Sequence, residues 1–171
     1  MKKTLKYGII IGVSNILFIL FEYMLEWDKN LFMRNFGFLS LIILALGVHY
    51  GIKSKRDNEL DGYINYRNAF VSGFLIALYV GIITGVFSYF YMRDINPELS
   101  DIIIKERQEL FTKMIDSQIL TQEEVAKKLV RLQKEYSPMG QMILGFGGSL
   151  ILGLIFSSVS SFFLHRKNPE E

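Results

Sequence analysis

Cysteine is absent from the 171 residues. That excludes disulfides, thiolate metal ligands and a cysteine nucleophile, and it leaves the redox compartment unmarked. Neither sign of charge dominates: 19 basic residues against 17 acidic ones give a net charge of +2, so the basic footprint of a nucleic-acid binder is missing. No Gly-rich phosphate loop, nucleophile elbow or paired general acid and base can be found, and the chain reads as a non-enzyme that calls for no cofactor. Low-complexity tracts and long-period repeats are missing too. The first alanine is Ala45, so no small-x-small cleavage site follows the apolar N-terminal run. That run is about 19 residues, against ~7–15 for the core of a secretory signal. It reads as a retained span.

Apolar residues make up 50% of the chain, and the charges fall in clusters separated by long uncharged runs. That pattern marks a bilayer protein. Four runs stand out, at about residues 7–25, 31–52, 69–92 and 139–164. The second is barely long enough to span, with Arg34 near its start and Lys53, Lys55 and Arg56 closing it. Tyr7, Tyr50, Tyr63 and Tyr66 fall at one expected interface. Tyr23, Trp27, Tyr89, Tyr91 and Tyr136 fall at the other, as aromatic belts require. The fold class expected is all-α: a polytopic membrane domain with four transmembrane helices.

Residues 93–138 form the only long water-soluble stretch, and they are expected to make a helical hairpin between spans three and four. Asn96-Pro97 has the form of an N-cap followed by proline at the first helical position. Leu99, Ile102, Ile103, Leu110, Phe111, Met114 and Ile115 follow at helical spacing, and Asp116-Ser117-Gln118 reads as the break. Thr121 and Glu124 have the spacing of a capping box. Val125, Leu129, Leu132 and Tyr136 then share a face, with Glu123–Lys127 and Glu124–Lys128 as i,i+4 pairs. The two amphipathic faces either pack on each other and on headgroups or dock a partner. Ile102 to Ile104 exceed what a two-helix seam covers and favour lipid or protein contact.

Helices in lipid associate through close packing rather than through escape from water. Gly8 and Gly12 mark the first span. Ser40, Gly47 and Gly51 share a face of the second. Gly73, Ala77, Gly81 and Gly85 recur every fourth residue in the third, as do Gly145, Ser149, Gly153, Ser157 and Ser161 in the fourth. Such small-xxx-small ladders predict helix packing, within one chain or between copies.

Glu22 is the only acidic residue inside an expected span, and it shares a face with Gly8, Gly12 and Asn15. An intramembrane carboxylate is a candidate for proton or cation coupling. Standing one turn from Glu26-Trp27, it can equally snorkel to the headgroups. Four passes with a first-helix glutamate are also similar to small multidrug exporters. His49 lies near Lys53 with no second ligand to make a metal site. Asp57-Asn58-Glu59-Leu60-Asp61-Gly62 imitates half an EF-hand loop, but its twelfth position is Asn68 rather than the bidentate glutamate, so a solvated turn is expected.

The whole chain resembles the four-pass bacterial membrane proteins catalogued as domain of unknown function 4199. The resemblance is carried by Asp61-Gly62-Tyr63-Ile64-Asn65-Tyr66-Arg67-Asn68-Ala69-Phe70 leading into a Gly-rich third span, and by Ile95-Asn96-Pro97-Glu98. Leu120-Thr121-Gln122-Glu123-Glu124 and Ser137-Pro138 before a Gly/Ser-rich last span complete it. It implies architecture and a Gram-negative inner-membrane setting, with no assigned activity to carry over. Basic residues nearly balance across the two sides. The first span, basic before and near neutral after, places both termini in the cytoplasm and the hairpin in the periplasm. The expected partners are membrane lipid and, through the hairpin, a protein or a second copy, with no nucleic acid. The function expected is that of a structural or interaction protein; the alternative is a small proton- or cation-coupled transporter using Glu22 and Asn15.

Overall fold

The computed structural model describes residues 2–30 and 32–166. Among them are six α-helices: α1 Lys2–Met24, α2 Leu39–Glu59, α3 Tyr66–Phe90, α4 Glu98–Asp116, α5 Gln122–Glu135 and α6 Pro138–Leu164. The described residues contain no strand, only an isolated antiparallel bridge between Ile64 and Arg166. The fold class is all-α. Three stretches are long and apolar enough to cross a bilayer, Lys3–Met24, Tyr66–Ile95 and Pro138–Leu164, and the chain is a helical membrane protein.

The second apolar run departs from the expected 31–52. Leu31 lies outside the described residues, Met33–Phe38 forms a 3-10 helix, and α2 starts only at Leu39. The side chain of Asn30 explains the tight turn, because its Oδ1 accepts the backbone N–H of Phe32 at 2.9 Å and of Met33 at 3.2 Å. At its other end α2 continues through Lys53, Lys55 and Arg56 to Glu59. Charge ends a span but not a helix, since Lys, Arg and Glu are good helix formers.

The chain forms two compact units, one of residues 1–84 with 145–171 and one of residues 85–144. In the first, Ile11, Leu44, Val48, Ile52, Ile64, Ala69, Ile76, Val80 and Leu164 form the buried core. Close approaches set its helix order. A Cβ built on Gly51 would strike Ile76 and touch Tyr7, and one on Gly47 would strike Ile11, so α1 and α2 run antiparallel. Gly8 faces Tyr79 and Gly12 faces Ile83, so α1 and α3 run parallel. Gly73 faces Ser157, Gly153 faces Ala77, and Gly81 faces Ser149, so α3 and α6 run antiparallel.

The second unit contains the hairpin. A π-turn over Tyr91–Ile95 ends the third apolar stretch. Pro97 is already in helical dihedrals, whereas Asn96 before it is not, at φ −138° and ψ 62°, so the two stand as cap and first helical residue, as the sequence suggests. The Asn96 amide donates to the Tyr91 hydroxyl at 3.1 Å. Leu99 and Ile103 of α4 and Val125 of α5 are buried. Ile102 and Ile104 are half-buried.

Candidate functional sites

Three places merit chemistry: a polar pair on α1, the connector between α2 and α3, and the hairpin. Asn15 and Glu22 lie seven residues apart on one face of α1. Asn15 is 5% exposed and its Oδ1 has no hydrogen-bond partner. Glu22 is half-buried, and its Oε1 is likewise enclosed and unpartnered. Asp28 is buried in the 3-10 turn Trp27–Lys29, where its charge reaches Glu22. Only that turn, with Glu26 in the left-handed region at φ 54°, brings Asp28 back toward α1. Nothing in the sequence signals it.

The small residues divide. Gly8, Gly12, Gly73, Ala77, Gly81, Ser149, Gly153 and Ser157 all stand at close helix approaches in the first unit. Ser157 and Ser161 are fully buried with hydroxyls that lack a partner, and Gly73 is packed against Ser157. These are packing positions with no room for a ligand. Gly85 and Gly145 continue the ladders on α3 and α6.

The connector 60–65 has a backbone duty at nearly every position. Asp61 at φ 48° and Gly62 at φ 88° make the left-handed turn, where glycine is the residue of least strain. Gly62 N–H donates to Arg56 O at 2.9 Å, and Tyr63 N–H to Leu60 O at 2.9 Å. Ile64 and Arg166 exchange N–H···O bonds of 3.1 and 2.9 Å. Asn65 Oδ1 accepts the N–H of Asn68 at 2.8 Å, capping α3. The buried Arg56 donates to Leu164 O at 3.3 Å and pairs with Asp57 at 2.7 Å, which puts a cation at the C-terminal end of α6. Hydrogen bonding from Arg56, with the charges of Lys53 and Arg166 nearby, holds the Asp57 carboxyl below the ordinary aspartate range. Lys55 reaches across to the Ser72 hydroxyl at 2.7 Å. The calcium-like run therefore has other partners: Asp57 takes Arg56, and Asn58 takes Ser54. Among the described residues no three His, Cys, Asp or Glu side chains cluster as a metal site.

The hairpin is built by its ends. The α4 terminus is a Schellman turn with Gln118 at φ 57°; Ile119 N–H donates to Met114 O at 2.9 Å and Gln118 N–H to Ile115 O at 2.8 Å. At the start of α5, Glu124 N–H donates to Thr121 Oγ1 at 3.3 Å and Thr121 N–H donates to Glu124 Oε2 at 2.8 Å. The backbone N–H of Thr121, then its hydroxyl, hold the Glu124 carboxyl below the usual glutamate range. That bond changes the surface pairing. Glu123–Lys127 closes at 2.7 Å, whereas Glu124 is turned back into the cap and leaves Lys128 without its expected i,i+4 ion pair. Arg131 pairs with Glu135 at 2.7 Å. Between α4 and α5 lies a groove of about 340 Å³ lined by Arg107, Phe111, Lys128, Arg131, Leu132, Glu135 and Tyr136. The expected face of α5 supplied Leu132 and Tyr136, but the basic rim went unread, although Lys128 and Arg131 at i,i+3 were its signal.

No curated protein and no solved structure matches this chain. A family model does, over residues 6–166, from the third residue of the N-terminal lysine group to the bridge at Arg166. The chain therefore belongs to the family described as protein of unknown function (DUF4199).

Proposed function

We propose that this is a non-enzymatic protein of the bacterial inner membrane, a four-helix bundle that crosses the lipid four times and presents the α4–α5 hairpin as a contact surface for a partner, a lipid surface or a second copy. One observation carries the reading. Leu99, Ile103 and Val125 are buried, yet Leu110, Ile119 and Val130 remain 45%, 64% and 67% exposed. Exposed apolar side chains on the water-soluble part of a chain are the usual material of an interaction site.

The fourth crossing is α2 with its 3-10 lead-in. Leu39–Ile52 rises about 21 Å at the α-helical pitch, and Met33–Phe38 adds about 12 Å at the 3-10 rise. Together they match the ~30 Å of a hydrocarbon core. The register agrees, since Gly51 is level with Tyr7 and Gly47 with Ile11 of α1. Four crossings put both termini on one side. The basic cluster Lys3, Lys6, Lys53, Lys55, Arg56, Arg67 and Arg166 then makes that side the cytoplasm, with the hairpin in the periplasm.

Co-purification from native membranes tests the function. Ile119→Ser with Val130→Ser should lose whatever the parent retains while the protein unfolds at an unchanged temperature. Retention of the same partners would overturn the reading. A cysteine at position 117, in a chain with no other, should be labelled from outside only; labelling from the cytoplasm alone would reverse the orientation.

The unpartnered Asn15 and Glu22 oxygens favour a second reading, a proton- or cation-coupled carrier. Its test is proton movement into proteoliposomes under an imposed gradient, parent against Glu22→Gln. Equal rates would dismiss Glu22.

A further inference from the structure

The groove between α4 and α5 is short of negative charge. Its rim holds Arg107, Lys128 and Arg131 against one acid, Glu135, and that acid is committed to Arg131. Glu124, the acid one turn back from Lys128, is committed to Thr121. Arg107 has only Ile103, Ile104, Leu110 and Phe111 three and four residues away, so its own helix offers it no i,i+3 or i,i+4 ion pair. Lys128 and Arg131, three residues apart, repel each other across the same face. Folding alone gives no reason to gather three cations here.

The floor is apolar, formed by Phe111, Leu132 and Tyr136. A site with a cationic rim over an apolar floor suits an amphiphile rather than a bare ion. Its volume of about 340 Å³ is at the lower end for small-ligand pockets. Tyr136 stands two residues before Pro138, the first residue of the membrane-length helix α6, which brings this end of α5 to headgroup level.

We propose that the groove binds the phosphate of an anionic phospholipid. Arg107 and Lys128 take the phosphate oxygens, with Arg131 held in place by Glu135 as the third positive charge. Phe111, Leu132 and Tyr136 pack against the glycerol and the first acyl carbons. The proposal rests on the hairpin being the contact surface and names lipid as what it contacts.

The test uses the full chain in detergent, with native mass spectrometry reading adducts of phosphatidylglycerol and phosphatidylcholine of matched acyl chains at equal concentration. The parent should favour phosphatidylglycerol about tenfold, the worth of a charge-assisted hydrogen bond. Arg107→Gln with Lys128→Gln should bring the ratio near one. Lys127→Gln, whose partner is Glu123, should leave it unchanged. All three side chains are exposed, and an unchanged unfolding temperature confirms that the variants fold. A preference that survives the double variant overturns the proposal. So does displacement of the lipid by an equal concentration of inorganic phosphate, which would make this a free-anion site. Parity between the lipids in the parent, with Ile119→Ser and Val130→Ser still losing the native partner, sinks the lipid assignment and leaves the contact surface standing.

Discussion

Adding one methyl group at Gly153 should loosen the first unit more than any other single-carbon change on α6. A Cβ built there falls on the Cβ of Ala77, closer than any real contact, with the Ala77 Cα next at 3.6 Å. Carbon atoms need about 3.5–4.0 Å, and alanine has no rotamer with which to yield. The helices must therefore part by more than an ångström. A gap of ~0.5–1 Å already forfeits a quarter to a half of each dispersion contact, and the neighbouring approaches of Gly73 to Ser157 and Gly81 to Ser149 would open with it. Overpacking of this kind costs about 1–3 kcal/mol, and within lipid no escape from water makes up the loss. Thermal unfolding in detergent reads the effect. Gly153→Ala should lower the midpoint, and Ala77→Gly in the same chain should restore most of the loss, because it returns one small residue to the pair. Gly147 has nothing within 4 Å of its would-be Cβ, so Gly147→Ala is the control and should be neutral or stabilising by about 0.5–1 kcal/mol. Two results would refute the reasoning: a Gly153→Ala protein as stable as the parent, or strictly additive effects of the Gly153 and Ala77 substitutions.

The hairpin and the connector give three further expectations. Gln118→Gly removes the side-chain penalty of a left-handed residue, about 1 kcal/mol, and should slow hydrogen exchange across α4 and α5; faster exchange would contradict the Schellman assignment. Gly62→Ala meets no atom within 4 Å, yet φ 88° strains an L-residue by about 1–2 kcal/mol, so the unfolding midpoint should fall although nothing clashes. The Glu124 cap fixes a pH dependence. Its folded carboxyl titrates below the unfolded one, so its stabilisation is complete above the unfolded value of about 4.3 and is lost as pH falls through the lower, folded value. Exchange at the start of α5 should therefore quicken, relative to its intrinsic rate, only on the acid side. Thr121→Ala should cost about 1 kcal/mol at neutral pH and weaken that dependence, because the backbone N–H of residue 121 still donates to the carboxylate, whereas Glu124→Gln should abolish it.

Hydropathy alone located three of the long helices closely. The expected runs 7–25, 69–92 and 139–164 lie within or overlap α1, α3 with its π-turn, and α6. For the run 31–52 it does not give the helix bounds, because composition reports what lipid tolerates and not where a helix begins. Asn30 sets the 3-10 turn through its side chain, and the helix continues past Ile52 because Lys53, Lys55 and Arg56 are apolar stems as well as charges. The hairpin was readable from its caps, since Thr121 and Glu124 act locally. Asp28 was not readable, because its burial depends on a left-handed Glu26 that no propensity rule favours. The basic groove depends on a choice Glu124 makes between Lys128 and the α5 cap, and spacing permits both.

The connector 60–65 also argues for where function is to be sought. Each of its residues from Leu60 to Asn65 either makes the left-handed turn or carries a bond in the turn, in the bridge to Arg166 or in the cap of α3. Arg56 adds the last element by placing its guanidinium on the Leu164 carbonyl at the end of α6. A stretch whose polar groups are spent in this way has little left for a ligand. The hairpin is the reverse case, with its caps and seam satisfied internally and Arg107, Lys128 and the exposed Val130 left over. If the connector were the working site, Asn65→Ala would change what the protein retains from native membranes. On the present reading it should cost stability through a lost cap, about 1 kcal/mol, and leave retention intact, whereas Ile119→Ser with Val130→Ser should do the opposite.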